Sequence, residues 1–391
     1  MPEPIRRIAI SLGGGYLPGL AGVVRAAAQA ARHRGWQVVG IRDGFDGVLF
    51  PERYPADGVV AIEPAAVLCS EDEGSLLGTG ARTDPFRVQQ PNDEGLIEEV
   101  DASGRVLQAL RDRGIDAFIG IVGGSALTGS HALAVLWKLS RLGLRCVCIP
   151  KSAENDLAAT EHPYGYDSVL QFAAGSLRHI RVAARDQRRV ALVEVPGQYA
   201  GWLALDAGLA AQADVVLIPE VRYQVEVVAR HIDADERTAL IVVAEGAMAT
   251  DATQGGSSGD DAQAQRARLS PGSDPAYGTG ARVIHRAGRM AQTVCEDVQR
   301  HSARELFPLV LDQLVRAGGV SANDRVLGAA YGVAAVQALA EGSVQHLIAA
   351  RADRFETVPL AEAVNRVRTV DATAPVLASA RALGVCLGDR P

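Results

Sequence analysis

Pro150-Lys151-Ser152-Ala153-Glu154-Asn155-Asp156 puts a cation, a hydroxyl and two carboxylates at the end of an apolar run. Lysine can neutralise a transferring phosphoryl group. One carboxylate can accept an alcohol proton while the other orients metal-bound water. Spacing alone favours a plain solvated turn, so the neighbouring loops carry the weight. Gly13-Gly14-Gly15-Tyr16-Leu17-Pro18-Gly19 stands between a strand pattern and a helix pattern. Small residues there let the backbone approach a phosphate at a helix N-terminus. The loop lacks the Gly-Lys-Ser/Thr ending of a P-loop. A second glycine loop, Gly120 to Gly129, contains Gly123, Gly124, Ser125, Ala126 and Thr128. Two such loops at neighbouring strand ends could cradle a polyphosphate. Arg82, in the turn Leu77 to Phe86, could clamp phosphate with two parallel bonds or lie on the surface. In Glu194 to Trp202, preceded by Arg189, Gln198 either points into a cleft or caps a turn, and Trp202 reads as core.

These segments need a scaffold of alternating strands and helices, and the patterns supply one. Ile8 to Leu12, Val38 to Ile41, Ala117 to Val122 and Cys146 to Pro150 are short apolar strands, with helical spacing over Leu20 to Arg34 and up to Leu139. The theme restarts with strands at Val190 to Val195, Asp214 to Pro219 and Thr238 to Ala244, and a helix over Ala200 to Ala211. Such alternation predicts mostly parallel sheets with helices on both faces, with ligands outside the carboxyl ends of the strands. Residues 251–280, rich in Gly, Ser and Asp, read as a long loop.

A chain of 391 residues is long enough for about two domains. Its net charge of −7 and lack of a dense basic cluster argue against nucleic acid as a partner; Arg185, Arg188 and Arg189 come nearest to one. No apolar run approaches the roughly 18 residues of a membrane span, and Met1-Pro2-Glu3-Pro4 has no signal-peptide pattern. Five cysteines without a C-x-x-C pair read as buried thiols in a reducing cytoplasm.

Taken in order, the segments resemble the phosphofructokinase family from about Ile8 to Asp371. Gly14 to Gly19 resembles its G-G-D-x-P-G element, Ile41 to Val48 its I-x-D-G-x-x-G-L element, and Leu77 to Pro85 its L-G-S-S-R-T-N-P loop. Pro150 to Asp156 is similar to P-K-T-I-D-N-D, Glu194 to Trp202 to E-V-M-G-R-x-A-G-W, and Val243 to Ala247 to V-A-E-G-A. Arg316-Ala317-Gly318 with Asp324-Arg325 resembles the late R-G-G…D-R element. Length and the long loop are most similar to the actinobacterial branch, whose members use ATP or pyrophosphate.

The resemblance implies an α/β protein of two Rossmann-like three-layer domains with mostly parallel sheets. Residues 1–164 plus 315–365 would form the donor domain, and 165–314 plus 366–391 the acceptor domain. It implies Mg2+, ATP or pyrophosphate as donor, and a homodimer or homotetramer in which Arg189 completes a neighbour's site. Donor-binding positions would be Gly14, Gly15, Tyr16, Phe45, Arg82, Gly123, Gly124, Ser125, Ala126 and Thr128. Lys151, Glu154, Asp156 and Arg82 would carry the chemistry, with Asp156 and, weakly, Ser125 at the metal. Acceptor-binding positions would be Ser152, Glu154, Arg189, Pro196, Gly197, Gln198, Glu245, Phe307, Gln313 and Arg316.

Several of these positions depart from the pattern. Glu154 replaces the family's aspartate base and reaches one methylene further; a misplacement of roughly 1 Å can cost about a hundredfold in rate. Ser125 replaces an acidic residue. Ala126 leaves room for a nucleotide, whereas Lys151 is the residue of pyrophosphate-type enzymes, which leaves the donor open. Phe307 replaces a phosphate-binding arginine, Gln313 a histidine, Gln198 an arginine and Pro196 a methionine. Losing these polar groups leads to the expectation of a phosphotransferase acting on a small-molecule alcohol other than fructose 6-phosphate, in specialised metabolism. The alternatives are a catalytically silent nucleotide-binding regulator, a cleft repurposed for other chemistry and, ranked last with the latter, an ordinary 6-phosphofructokinase.

Overall fold

A computed structural model describes residues 4–63, 75–80, 83–92, 95–123, 132–250, 288–364 and 366–390. Arg82, Gly124, Ser125, Ala126 and Thr128, together with Cys69 and the loop at 251–280, lie outside the described residues. The chain divides into two compact units. The first comprises Met1–Ser152, Leu157–Asp167 and Gly319–Arg366; the second comprises Ala153–Asp156, Ser168–Gly318 and Val367–Pro391. The turn that carries Glu154 and Asp156 therefore groups with the second unit.

The first unit is built on a seven-stranded sheet. Its strands are β1 (Arg7–Leu12), β2 (Gln37–Ile41), β3 (Val59–Ala61), β6 (Ala117–Val122), β7 (Cys146–Pro150), β12 (His346–Arg351) and β13 (Arg354–Pro359). The order is β13-β12-β7-β6-β1-β2-β3. The five inner strands run parallel, and β3 and β13 close the edges antiparallel. A separate ribbon pairs β4 (Val88–Pro91) with β5 (Ile97–Val100). All six residues of β6 are buried, as expected for a strand covered on both faces. Its core joins Phe118 to Leu133, Leu136 and Leu139 of helix Ala132–Arg141 and to Cys146 and Cys148 of β7. Burial pushes the Cys146 thiol up to about 12 and that of Cys148 higher still, so both are inert packing groups.

The second unit holds a four-stranded, all-parallel sheet of β8 (Val190–Val195), β9 (Val215–Leu217), β10 (Leu240–Ala244) and β11 (Leu306–Val310), in the order β11-β8-β10-β9. Val190, Leu192, Ile241 and Val243 pack against Val294 and Val298 of helix Arg289–Gln299. Glu194, 3% exposed, accepts hydrogen bonds from the Gly288 and Ala291 N–H groups, both at 2.7 Å, and so satisfies that helix's first turn. The mostly parallel α/β architecture read from the sequence is the one observed.

One arginine carries much of the loop structure in the second unit. Arg304 donates to the carbonyls of Ile232, Asp235, Glu236 and Thr238 at 3.0–3.2 Å, just after helix Val225–Ala234. Arg304→Ala leaves four carbonyls to find other donors. It is expected to lower stability by about 2 kcal/mol, read as a shift of the denaturant midpoint without loss of the helical signal.

Candidate functional site

The strands β7, β6 and β1 are sheet neighbours, and the chain leaves their carboxyl ends at Lys151, Gly123 and Gly13. The loop after β1 winds through Gly14 (φ 82°) and Gly15 (φ 84°), a left-handed stretch that glycine alone adopts without strain. Its N–H groups at Gly13 and Gly15 reach the Ile121 and Thr79 carbonyls. Lys151, only 2% exposed, follows β7 and donates from Nζ to the Gly15 carbonyl at 2.5 Å. Tyr164 Oη donates to the Pro18 carbonyl at 2.6 Å. Helix Leu20–His33 then starts directly after Gly19. Tyr16, within this loop, is half-buried. Phe45 is 9% exposed and stacks on Phe118 at 5.2 Å, so its ring belongs to the core.

Gly123 fixes the spacing between two of these loops. A Cβ there would stand 1.5 Å from the Lys151 carbonyl oxygen, a backbone atom with no freedom to retreat. Gly123→Ala is therefore expected to cost about 3 kcal/mol and to weaken binding of any donor held by these loops. A lowered Tm together with a raised donor KM is the measurement that checks it.

The second unit gathers the acceptor-side residues at the carboxyl ends of β8 and β10. Gly197 (φ 149°) turns the chain so that the Gln198 carbonyl rests against Gly246, where a Cβ would come within 2.0 Å of it. Glu245 N–H bonds the Val195 carbonyl, which ties the two strand ends together. Pro196 is buried, while Gln198, Glu245 and Arg316 are half-buried. Glu154 lies among them and retains some solvent contact. Its carboxyl is pushed up to about 8, first by desolvation and then by the negative charges of Asp156 and Glu245. The Arg316 guanidinium and a hydrogen bond from the Gln198 main-chain N–H pull the other way. Asn155, between the two acids, takes a left-handed conformation (φ 56°) and keeps its buried Oδ1 without a hydrogen-bond partner. A strained turn holding two carboxylates is where a proton acceptor of adjusted pKa is to be sought.

The structure brings together Glu154, Asp156, Gln198, Glu245 and Arg316. It keeps Arg189 and Phe307 apart from them. Arg189 precedes β8 and Phe307 sits near the start of β11, whereas Gln198 and Glu245 follow the strand ends. Six residues of extended strand separate those ends by roughly 20 Å. At the near end the Arg189 guanidinium lies 4.5 Å over the Phe307 ring and pairs with Glu305 at 2.8 Å. Gln313 is exposed and bonds Asp312. Ser152 is buried, and its N–H donates to the Tyr164 carbonyl. No group of three or more His, Cys, Asp or Glu side chains is placed to hold a metal among the described residues. No helix among them is long and apolar enough to cross a membrane.

Sequence reasoning weighed Gln198 by its lost guanidinium and missed that its main-chain N–H serves Glu154. It treated Phe307 as a lost contact, although the ring seats Arg189 by a cation–π interaction. It had no sign of Arg368, whose N–H donates to the Asp156 carbonyl at 2.8 Å.

Comparison with known proteins gives these positions a family. Residues 7–339 match the family model described as Phosphofructokinase. A protein from Chloroflexus aurantiacus named ATP-dependent 6-phosphofructokinase is 34% identical, over 100% of this chain and 99% of its own length. One from Amycolatopsis methanolica, named pyrophosphate–fructose 6-phosphate 1-phosphotransferase, is 32% identical over 93% of this chain and 96% of its own. The crystal structure of a pyrophosphate-dependent phosphofructokinase from Marinobacter aquaeolei shares the fold with a TM-score of 0.72 and 19% identity, covering 99% of this chain and 93% of that one. Similarity of this extent to proteins named for fructose 6-phosphate overturns the expectation of a different acceptor, and neither the regulatory nor the repurposed-cleft alternative gains support from it. Among the acceptor-side positions, Arg316 still acts on Glu154 beside Glu245, and Arg189 lies over the Phe307 ring. The matched family model spans most of the sequence and the relatives match it end to end, so the chain belongs to the phosphofructokinase family.

Proposed function

We propose that this protein is a 6-phosphofructokinase that moves the γ-phosphoryl group of ATP to the 1-hydroxyl of fructose 6-phosphate. The observation that carries the reading is full-length similarity, at 34% identity, to relatives named ATP-dependent 6-phosphofructokinase. The cluster around Glu154 supports it. In its ionised form Glu154 accepts the proton of the attacking hydroxyl, stabilised as a carboxylate by Arg316 and the Gln198 N–H. Glu245 and Arg316 orient the sugar phosphate, while Lys151 and the loops Gly13 to Gly19 and after β6 hold the donor phosphates. Arg189 serves the 6-phosphate of a neighbouring subunit in a homo-oligomer, consistent with its roughly 20 Å separation from Gln198 within one chain.

The oxygen donors of this site suit Mg2+, which takes one or two carboxylates and is otherwise held by phosphate oxygens and water. Asp156 is the carboxylate that would hold it, and the ion supplies charge neutralisation at the transferring phosphoryl group. The relative from Amycolatopsis methanolica makes pyrophosphate the second candidate donor.

Steady-state assays with ATP or pyrophosphate against a panel of hexose phosphates and unphosphorylated polyols test the reading. The expected result is ATP-driven turnover of fructose 6-phosphate at 1–100 per second, about the ordinary range for kinases. Faster turnover of another acceptor, or none with any, would overturn it.

A further inference from the structure

The loop Gly13 to Gly19 is held from outside as well as from within. The Gly15 N–H donates to the Thr79 carbonyl at 3.3 Å, and the Gly15 carbonyl accepts from Lys151 Nζ at 2.5 Å. Thr79 belongs to the turn Leu77 to Gly80, which Asp43 grips at both ends. The Asp43 N–H donates to the Leu77 carbonyl at 2.8 Å, and Asp43 Oδ1 accepts from the Gly80 N–H at 3.1 Å. Gly78 (φ 72°) lets the turn wrap this carboxylate, since a Cβ there would stand 2.0 Å from Asp43 Oδ1. Leu77, 1% exposed, lies over Gly40 of β2, where a Cβ would come within 2.2 Å of its Cδ2.

Asp43 is itself fixed. It stands just after β2 in a left-handed conformation (φ 47°), followed by Gly44 (φ 72°), whose carbonyl accepts from the buried Ser11 hydroxyl at 2.8 Å. The Tyr54 hydroxyl donates to the Asp43 carboxylate. A left-handed residue other than glycine persists where its surroundings over-determine it, and such residues concentrate at ligand clamps. We propose that Asp43 is a positioning residue for the phosphoryl donor: its carboxylate seats the turn Leu77 to Gly80, and the Thr79 carbonyl of that turn holds Gly15 in the place where the loop receives phosphate. This rests on the reading that the loop Gly13 to Gly19 holds the donor phosphates.

Releasing the turn frees Gly15 on one side, and the carbonyl that Lys151 meets moves with it. A binding loop whose supporting residues are loosened loses affinity before it loses its fold. The contacts of Asp43 involve none of the acceptor-side residues Gln198, Glu245 and Arg316, so the effect should fall on the donor alone, a split that general loss of stability does not produce. Asp43→Asn keeps an oxygen acceptor and tolerates the left-handed conformation. Asp43→Gly also leaves the backbone unstrained but takes the acceptor away from the Gly80 N–H and the Tyr54 hydroxyl. The difference between the two isolates the side-chain oxygen from the backbone.

The experiment measures calorimetric binding of ATP and of pyrophosphate, each with Mg2+, to the full-length variants, alongside kcat and both KM values. For Asp43→Gly the donor Kd and KM should rise about tenfold, the scale of one hydrogen bond to a charged group, while the KM for fructose 6-phosphate stays within about twofold. Asp43→Asn should bind the donor within about twofold of the wild type, and Tyr54→Phe should weaken it about fourfold. An unchanged donor Kd in Asp43→Gly, an equal rise in both KM values, or Asp43→Asn binding as weakly as Asp43→Gly overturns the proposal. Binding needs no turnover. Wild-type protein that binds a donor without phosphorylating fructose 6-phosphate therefore counts against the proposed function, while the Kd values still decide the role of Asp43. Wild-type protein that binds neither donor overturns the proposal together with the reading of the loop. Should Asp43→Gly not fold, Tyr54→Phe, which leaves the Asp43 backbone as it is, makes the comparison with Asp43→Asn.

Discussion

Glu154→Gln is expected to lower kcat by about a thousandfold while the KM for the donor stays within a few-fold. Burial and the neighbouring charges of Asp156 and Glu245 push this carboxyl up to about 8, where it gains or loses a proton near neutrality. Glutamine keeps its shape but cannot accept a proton from the attacking hydroxyl. In the wild-type enzyme kcat/KM should rise with pH along an acid limb near 8, since only the ionised carboxylate acts as base. The same shift has a cost in stability whose sign is definite. Between about pH 4.5 and 8 the folded chain holds a proton that the unfolded chain releases. Stability therefore falls as pH rises through that window, and Glu154→Gln removes the dependence. Allowing for the part of the side chain that water reaches, the variant should be more stable by about 1 kcal/mol at pH 8. Kinetics and denaturant midpoints at pH 6 and pH 9 check both consequences.

Arg316→Ala is the second large effect. Arg316 is the guanidinium that opposes the desolvation and negative charge acting on Glu154. Without it the carboxyl should ionise at a higher pH still, and fructose 6-phosphate should lose a charged partner. The expected fall in kcat/KM for the sugar phosphate is about a hundredfold or more, with the acid limb displaced upward. Arg316→Lys should restore the charge but not the planar fork, and so recover the pH profile better than the affinity. An unmoved acid limb in Arg316→Ala would remove Arg316 from the account of Glu154.

Much of this was legible in the residues, and what was not has identifiable causes. β6, β7 and β8 are buried on both faces and read as continuous apolar runs, so their positions were clear. β11 was hidden by Pro308 in Leu-Phe-Pro-Leu-Val, a residue that an edge strand tolerates, and β11 is indeed an edge of its sheet. β4 and β5 form an isolated ribbon with exposed Ile97 and carry no core-facing alternation. Side-chain identity picked out Glu154, Asp156, Glu245 and Arg316, which the structure brings together. Identity misled at Gln198, where a main-chain N–H acts whatever the side chain. It misled again at Phe307, where an aromatic ring replaces a charge as the neighbour of Arg189. Arg368 meets the acidic turn through its main-chain N–H and lies over Trp202, far away in sequence, and no local pattern marks such contacts.

The central claim is tested most directly by identifying the product. Fructose 6-phosphate incubated with ATP, Mg2+ and the purified protein, and followed by phosphorus NMR, should gain one new phosphoester on the 1-hydroxyl for each ADP formed. Absence of that ester with either ATP or pyrophosphate, or a phosphoryl group delivered to any other position, would contradict the account.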